Sequence, residues 1–170
     1  MVRILLYVNL NAIRRNIMKT LILGIGNLLW GDEGIGVHAA RELLEEELPE
    51  GTKVLDVGTS ILDALGELEN SERVIVLDAI KAEGTPGTVY RFDIDSCESP
   101  NDIASMHGFD IFALLALTGR NMPAQVIALG IEPASLDWST KLSPQVSKAL
   151  PFLLDSVKRE IKGQDPYFRM

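Results

Sequence analysis

The stretch Lys19–Gly36, KTLILGIGNLLWGDEGIG, constrains the fold more than any other part of the chain. Leu21, Ile22, Leu23 and Ile25 form a short apolar run interrupted only by Gly24, the pattern of a strand buried on both faces. Gly24, Gly26 and Asn27 follow, and glycines here let the backbone turn sharply and approach another group closely. A helical pattern begins after Asp32-Glu33. The stretch is therefore a strand–loop–helix junction with two carboxylates at its mouth. In open α/β sheets ligands collect there, outside the carboxyl ends of the strands.

The rest of the chain repeats this alternation. Helix one is expected over about Glu33–Glu47, with Val37, Ala40, Leu44 and Leu48 as its buried stripe. Lys53–Val57 reads as a second strand, and Ser60 with Asp63 as a capping box opening a short helix, Ile61–Glu69. Arg73–Ala79 is a third, almost wholly apolar strand ending near Asp78. After a turn at Glu83–Gly87, Thr88–Ile94 alternates as a half-exposed edge strand does. A polar loop, Asp95–Asp102, precedes a helix expected over about Met106–Thr118, burying Phe109, Phe112, Ala113, Ala116 and Leu117 and closed by Gly119. Gln125–Ile131 is the fifth strand. Ser143-Pro144 is a strong helix start, followed by the clearest stripe in the sequence: Val146, Ala149, Leu150, Leu153, Leu154, Val157 and Ile161. Strands alternating with helices predict an α/β layer structure with a mostly parallel sheet. Residues 18–162 read as one domain and 163–170 as a polar tail. Met1–Ile17 reads as an extension outside the domain. It has no small-residue cleavage site and does not read as a signal peptide; Met18 sits directly before the first strand, and the functional protein is expected to start there, with a genuine N-terminal arm as the alternative.

Composition narrows the class. With 170 residues, a hydrophobic fraction of 46% and a charged fraction of 24%, the chain is an ordinary globular length with a real core. A formal net charge of −8 argues against nucleic acid and anionic membranes as partners. No apolar run approaches the roughly 18 residues of a membrane span, so no membrane insertion is expected. The single cysteine, Cys97, excludes an intrachain disulfide and a multi-cysteine zinc site, and fits a reduced thiol in a cytoplasmic protein.

Three acids fall at or beside the ends of predicted parallel strands: Glu33, Asp56 and Asp78. Asp78 follows RVIVL, at a depth where a charge is costly unless paired or metal-bound. Each acid alone could equally cap a helix or satisfy nearby backbone N–H groups. His107, in the first turn of its expected helix, adds an imidazole. An imidazole and two carboxylates suit a divalent transition metal, nickel or zinc rather than magnesium, with positions left open. His38, on helix one, is assigned no role. A dinucleotide site is disfavoured: the fingerprint needs a small residue where Leu29 stands, and Asp32 and Glu33 place negative charge where a pyrophosphate would sit. There is no phosphate-cradling lysine motif, no G-x-S-x-G elbow and no pair of D-T-G motifs.

In order along the chain, GIGNLLWGDEGIG (Gly24–Gly36), VLDVGT (Val54–Thr59), VLDAI (Val76–Ile80), PGTV (Pro86–Val89), SMHGFD (Ser105–Asp110) and GIEPASL (Gly130–Leu136) resemble the landmarks of the hydrogenase maturation endopeptidases. The resemblance spans about Met18 to Ile161. It implies a twisted, mainly parallel five-stranded sheet with helices on both faces. It also implies removal of a C-terminal extension from the precursor of a nickel-containing hydrogenase large subunit, after nickel insertion. By the family pattern Glu33, Asp78 and His107 contact the metal, which arrives with the precursor, and Asp56 is implicated in substrate recognition or cleavage. Whether Asp56, one of the trio or the metal itself activates the attack stays open. A nickel-dependent module that escorts the precursor without cutting it would use the same residues.

Overall fold

The computed structural model describes residues 19–93 and 123–164 of the chain. The extension, the polar loop, Cys97, the helix expected at 106–118 with His107, and the tail from 165 lie outside the described residues. Among the described residues five strands form one sheet: β1 (Thr20–Ile25), β2 (Thr52–Gly58), β3 (Arg73–Ala79), β4 (Val89–Asp93) and β5 (Gln125–Ile131), in the order β2–β1–β3–β5–β4. Three pairings are parallel and β4 runs antiparallel to β5 at the edge. The apolar runs take the central places. β1 is buried throughout, as are β3 and β5 after their first residues, whereas edge strand β4 is half-buried along its whole length.

Helices cover both faces. Ile22, Ile75, Leu77, Ile127 and Leu129 point to one side, against α1 (Ile35–Leu44) and α3 (Pro144–Ile161). The alternate residues Leu21, Leu23, Val74, Val76 and Val126 point to the other, against Ala64 and Leu68 of the segment containing α2 (Leu65–Leu68). Each fully buried Leu or Ile of this double core contributes about 1.5–3 kcal/mol. Among the described residues no helix is long and apolar enough to cross a membrane.

Helix one differs from its expected form at both ends. Gly31–Gly34 is a 3-10 turn, and the α-helix starts only at Ile35. Leu44, expected in the stripe, is 53% exposed, and Leu43 is buried in its place. Successive helical residues rotate by about 100°, so once Val37, Ala39 and Ala40 face the sheet, position 43 follows them and 44 turns to solvent. Close approach requires glycine at two places. A Cβ on Gly36 would collide with the Leu77 and Ile25 carbonyl oxygens, so the first turn of α1 rests directly on the ends of β1 and β3. A Cβ on Gly26 would strike the carbonyl of Glu33. The capping box at Ser60 does not form: its side chain makes no capping bond, and the Asp63 N–H donates to the Ser60 carbonyl at 3.2 Å, a 3-10 turn over Ile61–Ala64. Ser143 does cap α3, accepting from the Val146 N–H at 3.3 Å. The helix runs through Pro151, an exposed position, and ends at Gly163 (φ 65°), where the Gln164 N–H donates to the Arg159 carbonyl at 3.0 Å.

Three buried acids fasten the loops to this frame. Asp32 is 1% exposed. Its Oδ2 accepts from the N–H groups of Ala134 (2.8 Å) and Ser135 (3.0 Å), and its Oδ1 from that of Ser143 (2.7 Å). Glu132 accepts at one oxygen from the Ala82 N–H (2.9 Å), the Gly84 N–H (3.1 Å) and the Tyr90 hydroxyl (2.9 Å), closing the β3–β4 turn. Glu160 of α3 receives the Arg91 guanidinium at 2.8 and 3.3 Å, which ties the last helix to β4.

Removing the Asp32 carboxylate leaves three partly buried N–H donors without their acceptor, and a buried unpaired group costs about 1–3 kcal/mol. Asp32→Ala is expected to destabilise the fold by about 1–3 kcal/mol in urea denaturation. Asp32→Asn, which keeps one acceptor oxygen, should recover part of that loss. Glu132 gives a pH-dependent counterpart. Burial pushes its pKa up, but the Ala82 and Gly84 N–H groups, the Tyr90 hydroxyl and the nearby Lys81 charge outweigh burial and hold it below the usual value. A depressed folded-state pKa means the stabilisation is complete above the ordinary glutamate range, near 4.3, and is lost as pH falls through the lower folded value. The melting-temperature gap between wild type and Glu132→Gln should be present at pH 7 and close on acidification below about pH 4. A gap independent of pH would show that the charge on Glu132 is not what holds the turn.

Candidate active site

The strand order places a topological switch between β1 and β3. The connection from β1 to β2 carries α1 over one face, and the connection from β2 to β3 carries α2 over the other. The crevice beyond the carboxyl ends of β1 and β3 is where a sheet of this kind binds ligands.

Two of the acids picked out in the sequence belong to that crevice. Glu33 is half-buried in the 3-10 turn leaving β1, and this turn packs against β3. Asp78 is the penultimate residue of β3, 1% exposed, with its Oδ1 accepting the Ala79 N–H at 2.8 Å. Strand alternation puts its side chain on the α2 face, following Val74 and Val76. A carboxylate this deep needs hydrogen bonds, a counter-charge or a metal ion to remain ionised.

Asp56 sits one strand away. It pairs in register with Gly24 and so faces the α1 side, opposite to Asp78. Arg41 of α1 donates from Nε to Asp56 Oδ2 at 2.8 Å, and the Gly58 N–H donates to Oδ1 at 3.1 Å. The structure thus brings Glu33 and Asp78 to the switch crevice and holds Asp56 on its flank. His107 lies outside the described residues. Among the described residues no three His, Cys, Asp or Glu side chains are grouped to hold a metal ion. Glu33 and Asp78 supply two carboxylate arms, which suits a partial ligand set completed from elsewhere. His38 lies on α1, and its Nε2 is buried without a hydrogen-bond partner among the described residues. Burial, and after it the Arg41 charge, lower its pKa and keep the ring neutral at pH 7.

Three contributors were not assigned roles from the sequence. Asp32 adjoins Glu33, and in a tight turn neighbouring side chains diverge, so only one of the two acids can face the crevice. GDEG carries no local signal for which acid turns inward; Asp32 does so because the N–H groups of Ala134, Ser135 and Ser143 lie there. Glu132 follows β5 within GIEPASL and is 4% exposed. Arg41 carries no local signal, because its partner lies on another element. Beyond the ends of β3 and β5 a cavity of about 230 Å³ opens, lined by Lys81, Glu132, Pro133, Ala134, Ser135 and Leu136. Its wall is the loop that Asp32 fastens.

Known proteins resemble this chain in sequence and fold. Residues 37–160 match the hydrogenase maturation protease family. The hydrogenase expression/formation protein HupD of Rhodobacter capsulatus is 34% identical over 152 residues, covering 85% of this chain and 72% of HupD. The hydrogenase 2 maturation protease of Escherichia coli strain K12 is 31% identical over 150 residues, covering 82% of this chain and 88% of that protein. The solved structure of the hydrogenase maturating endopeptidase HybD from E. coli superposes with a TM-score of 0.72 at 29% identity, covering 86% of this chain and 93% of HybD. The chain belongs to the hydrogenase maturation protease family, and it is an endopeptidase.

Proposed function

We propose that this endopeptidase removes the C-terminal extension of a nickel-containing hydrogenase large-subunit precursor after nickel has been inserted. Family membership supports the substrate class. The observation that carries the finer reading is the nearly inaccessible carboxylate of Asp78 beside the Glu33 turn at the switch crevice. Two carboxylates that approach one another repel unless a cation or a proton lies between them. The nickel of the precursor is such a cation, and His107 would complete the contact with a nitrogen ligand. In this reading nickel is part of the substrate. Glu33, Asp78 and His107 grip it and so set the position of the scissile bond.

Cleavage needs a water deprotonated as it adds to the scissile carbonyl, and a proton delivered to the departing amide nitrogen. Asp56, on the flank of the crevice, is the candidate for this acid–base work, a role worth about 10²–10⁴-fold in rate. Its fixed orientation between Arg41 and the Gly58 N–H suits a group that must present one face to a substrate.

The test is a cleavage assay on nickel-loaded and nickel-free precursor, followed by mass, with circular dichroism on every variant. Wild type should shorten only the loaded precursor. Glu33→Ala, Asp78→Ala and His107→Ala should fold and fail to cleave. Asp56→Ala should lose at least about 100-fold in rate and still bind precursor. Equal processing of nickel-free precursor, or brisk cleavage by folded His107→Ala, would sink the metal-reading mechanism. An intact complex of full precursor mass with wild type would favour an escort over a protease for this precursor.

A further inference from the structure

The strand that carries Asp56 is irregular where Asp56 ends its regular pairing. Gly24 of β1 pairs with Asp56, but Ile25 pairs with Gly58, so β2 gains a residue at Val57. The bulge turns the Gly58 N–H back onto Asp56 Oδ1 at 3.1 Å, and the Gly58 carbonyl accepts from the Gly26 N–H at 2.9 Å. Gly26 in turn lies directly under the Glu33 carbonyl. One oxygen of Asp56 is thereby fixed to the backbone that supports the Glu33 turn. The other accepts from the Arg41 guanidinium at 2.8 Å, its one hydrogen bond among the described residues. We propose that Arg41 is a positioning residue for Asp56, acting on cleavage through the orientation of that carboxylate; this rests on the role of Asp56 put forward above.

The burial of the two partners separates positioning from stabilisation. The Arg41 side chain is 57% exposed and that of Asp56 24%. An ion pair this open to water contributes little to folding, and salt screens it further. It does restrict rotation. A carboxylate bonded at both oxygens by donors from two different elements has one orientation in place of several. His38, one turn earlier on α1, is held neutral by burial and by the Arg41 charge, and adds no second cation on that helix face at pH 7. Lysine would keep the charge at position 41 but not the planar fork that sets the angle of approach.

The measurement is steady-state cleavage of nickel-loaded precursor by the full chain and by Arg41→Ala, Arg41→Lys, Asp56→Asn and the Arg41→Ala/Asp56→Asn double variant, each with a thermal melt. Arg41→Ala should lower kcat by about tenfold or more with KM within about twofold, because binding is left in place. Its Tm should stay within about 2 °C of wild type, as for an exposed pair. Arg41→Lys should recover part of kcat. The double variant should be no slower than Asp56→Asn, since residues acting as a unit are not additive. A fully active Arg41→Ala beside an inactive Asp56→Asn overturns the positioning role and leaves that of Asp56 standing. Losses that multiply in the double variant overturn it too, by showing that Arg41 acts independently. An Asp56→Asn that cleaves at the wild-type rate removes the role of Asp56 itself, and the function of Arg41 with it.

Discussion

One buried carboxylate organises the active end of the molecule. Asp32 leaves β1 and turns inward, where it accepts hydrogen bonds from the N–H groups of Ala134, Ser135 and Ser143, residues more than a hundred positions away in sequence. The three donors lie in the loop after β5 and at the cap of α3. A charged acceptor bonded by several backbone donors is among the stronger polar arrangements in a protein, and leaving it half satisfied is expensive. The loop is fastened further by the Gly31 N–H to the Ser139 carbonyl at 2.8 Å and the Ser139 N–H to the Leu29 carbonyl at 3.0 Å. Two connections that would otherwise move separately become one wall of the crevice.

Glu33 depends on that wall. Its turn is held from below by the contact of Gly26 with the Glu33 carbonyl, from the side by the seat of Gly36 on Leu77 and Ile25, and from above by Asp32. Asp78 depends on the sheet instead: its place is set by parallel pairing with β5, in register with Gly130. Glu33 and Asp78 therefore sit on two rigid supports at the ends of β1 and β3. The Coulomb and desolvation terms that oppose two carboxylates in a sheltered site are offset when a metal ion enters between them. On the proposed function, this would favour a metal-bearing partner without requiring a permanent metal. Asp56 is controlled separately, through Arg41 and the β2 bulge.

Much of the fold was legible because hydrophobic pattern encodes it. Arg73–Ala79 and Gln125–Ile131 emerged with their observed bounds, since an unbroken apolar run in an α/β chain has no place except the middle of the sheet. The stripe of α3 held because Ser143 and Pro144 set its phase. Errors arose where two residues competed for one place. Leu43 and Leu44 are chemically equivalent, and only the seating of α1 on the glycines chooses between them. Of the site, the places of Glu33 after β1 and of Asp78 near the end of β3 were readable. Asp32, Glu132 and Glu160 were not: each acts on groups distant in sequence, and such contacts leave no period in the chain. The pairing of Arg41 with Asp56 was hidden for the same reason.

On the proposed function, the carboxylates beyond β1 and β3 receive the nickel of the precursor. The most direct test is a crystal structure of the Asp56→Ala variant in complex with nickel-loaded precursor, with data collected at the nickel absorption edge. An anomalous peak in ligand contact with the carboxylates of both Glu33 and Asp78 is the result predicted. A complex in which the nickel lies away from both, with the extension running over another surface, would contradict the account.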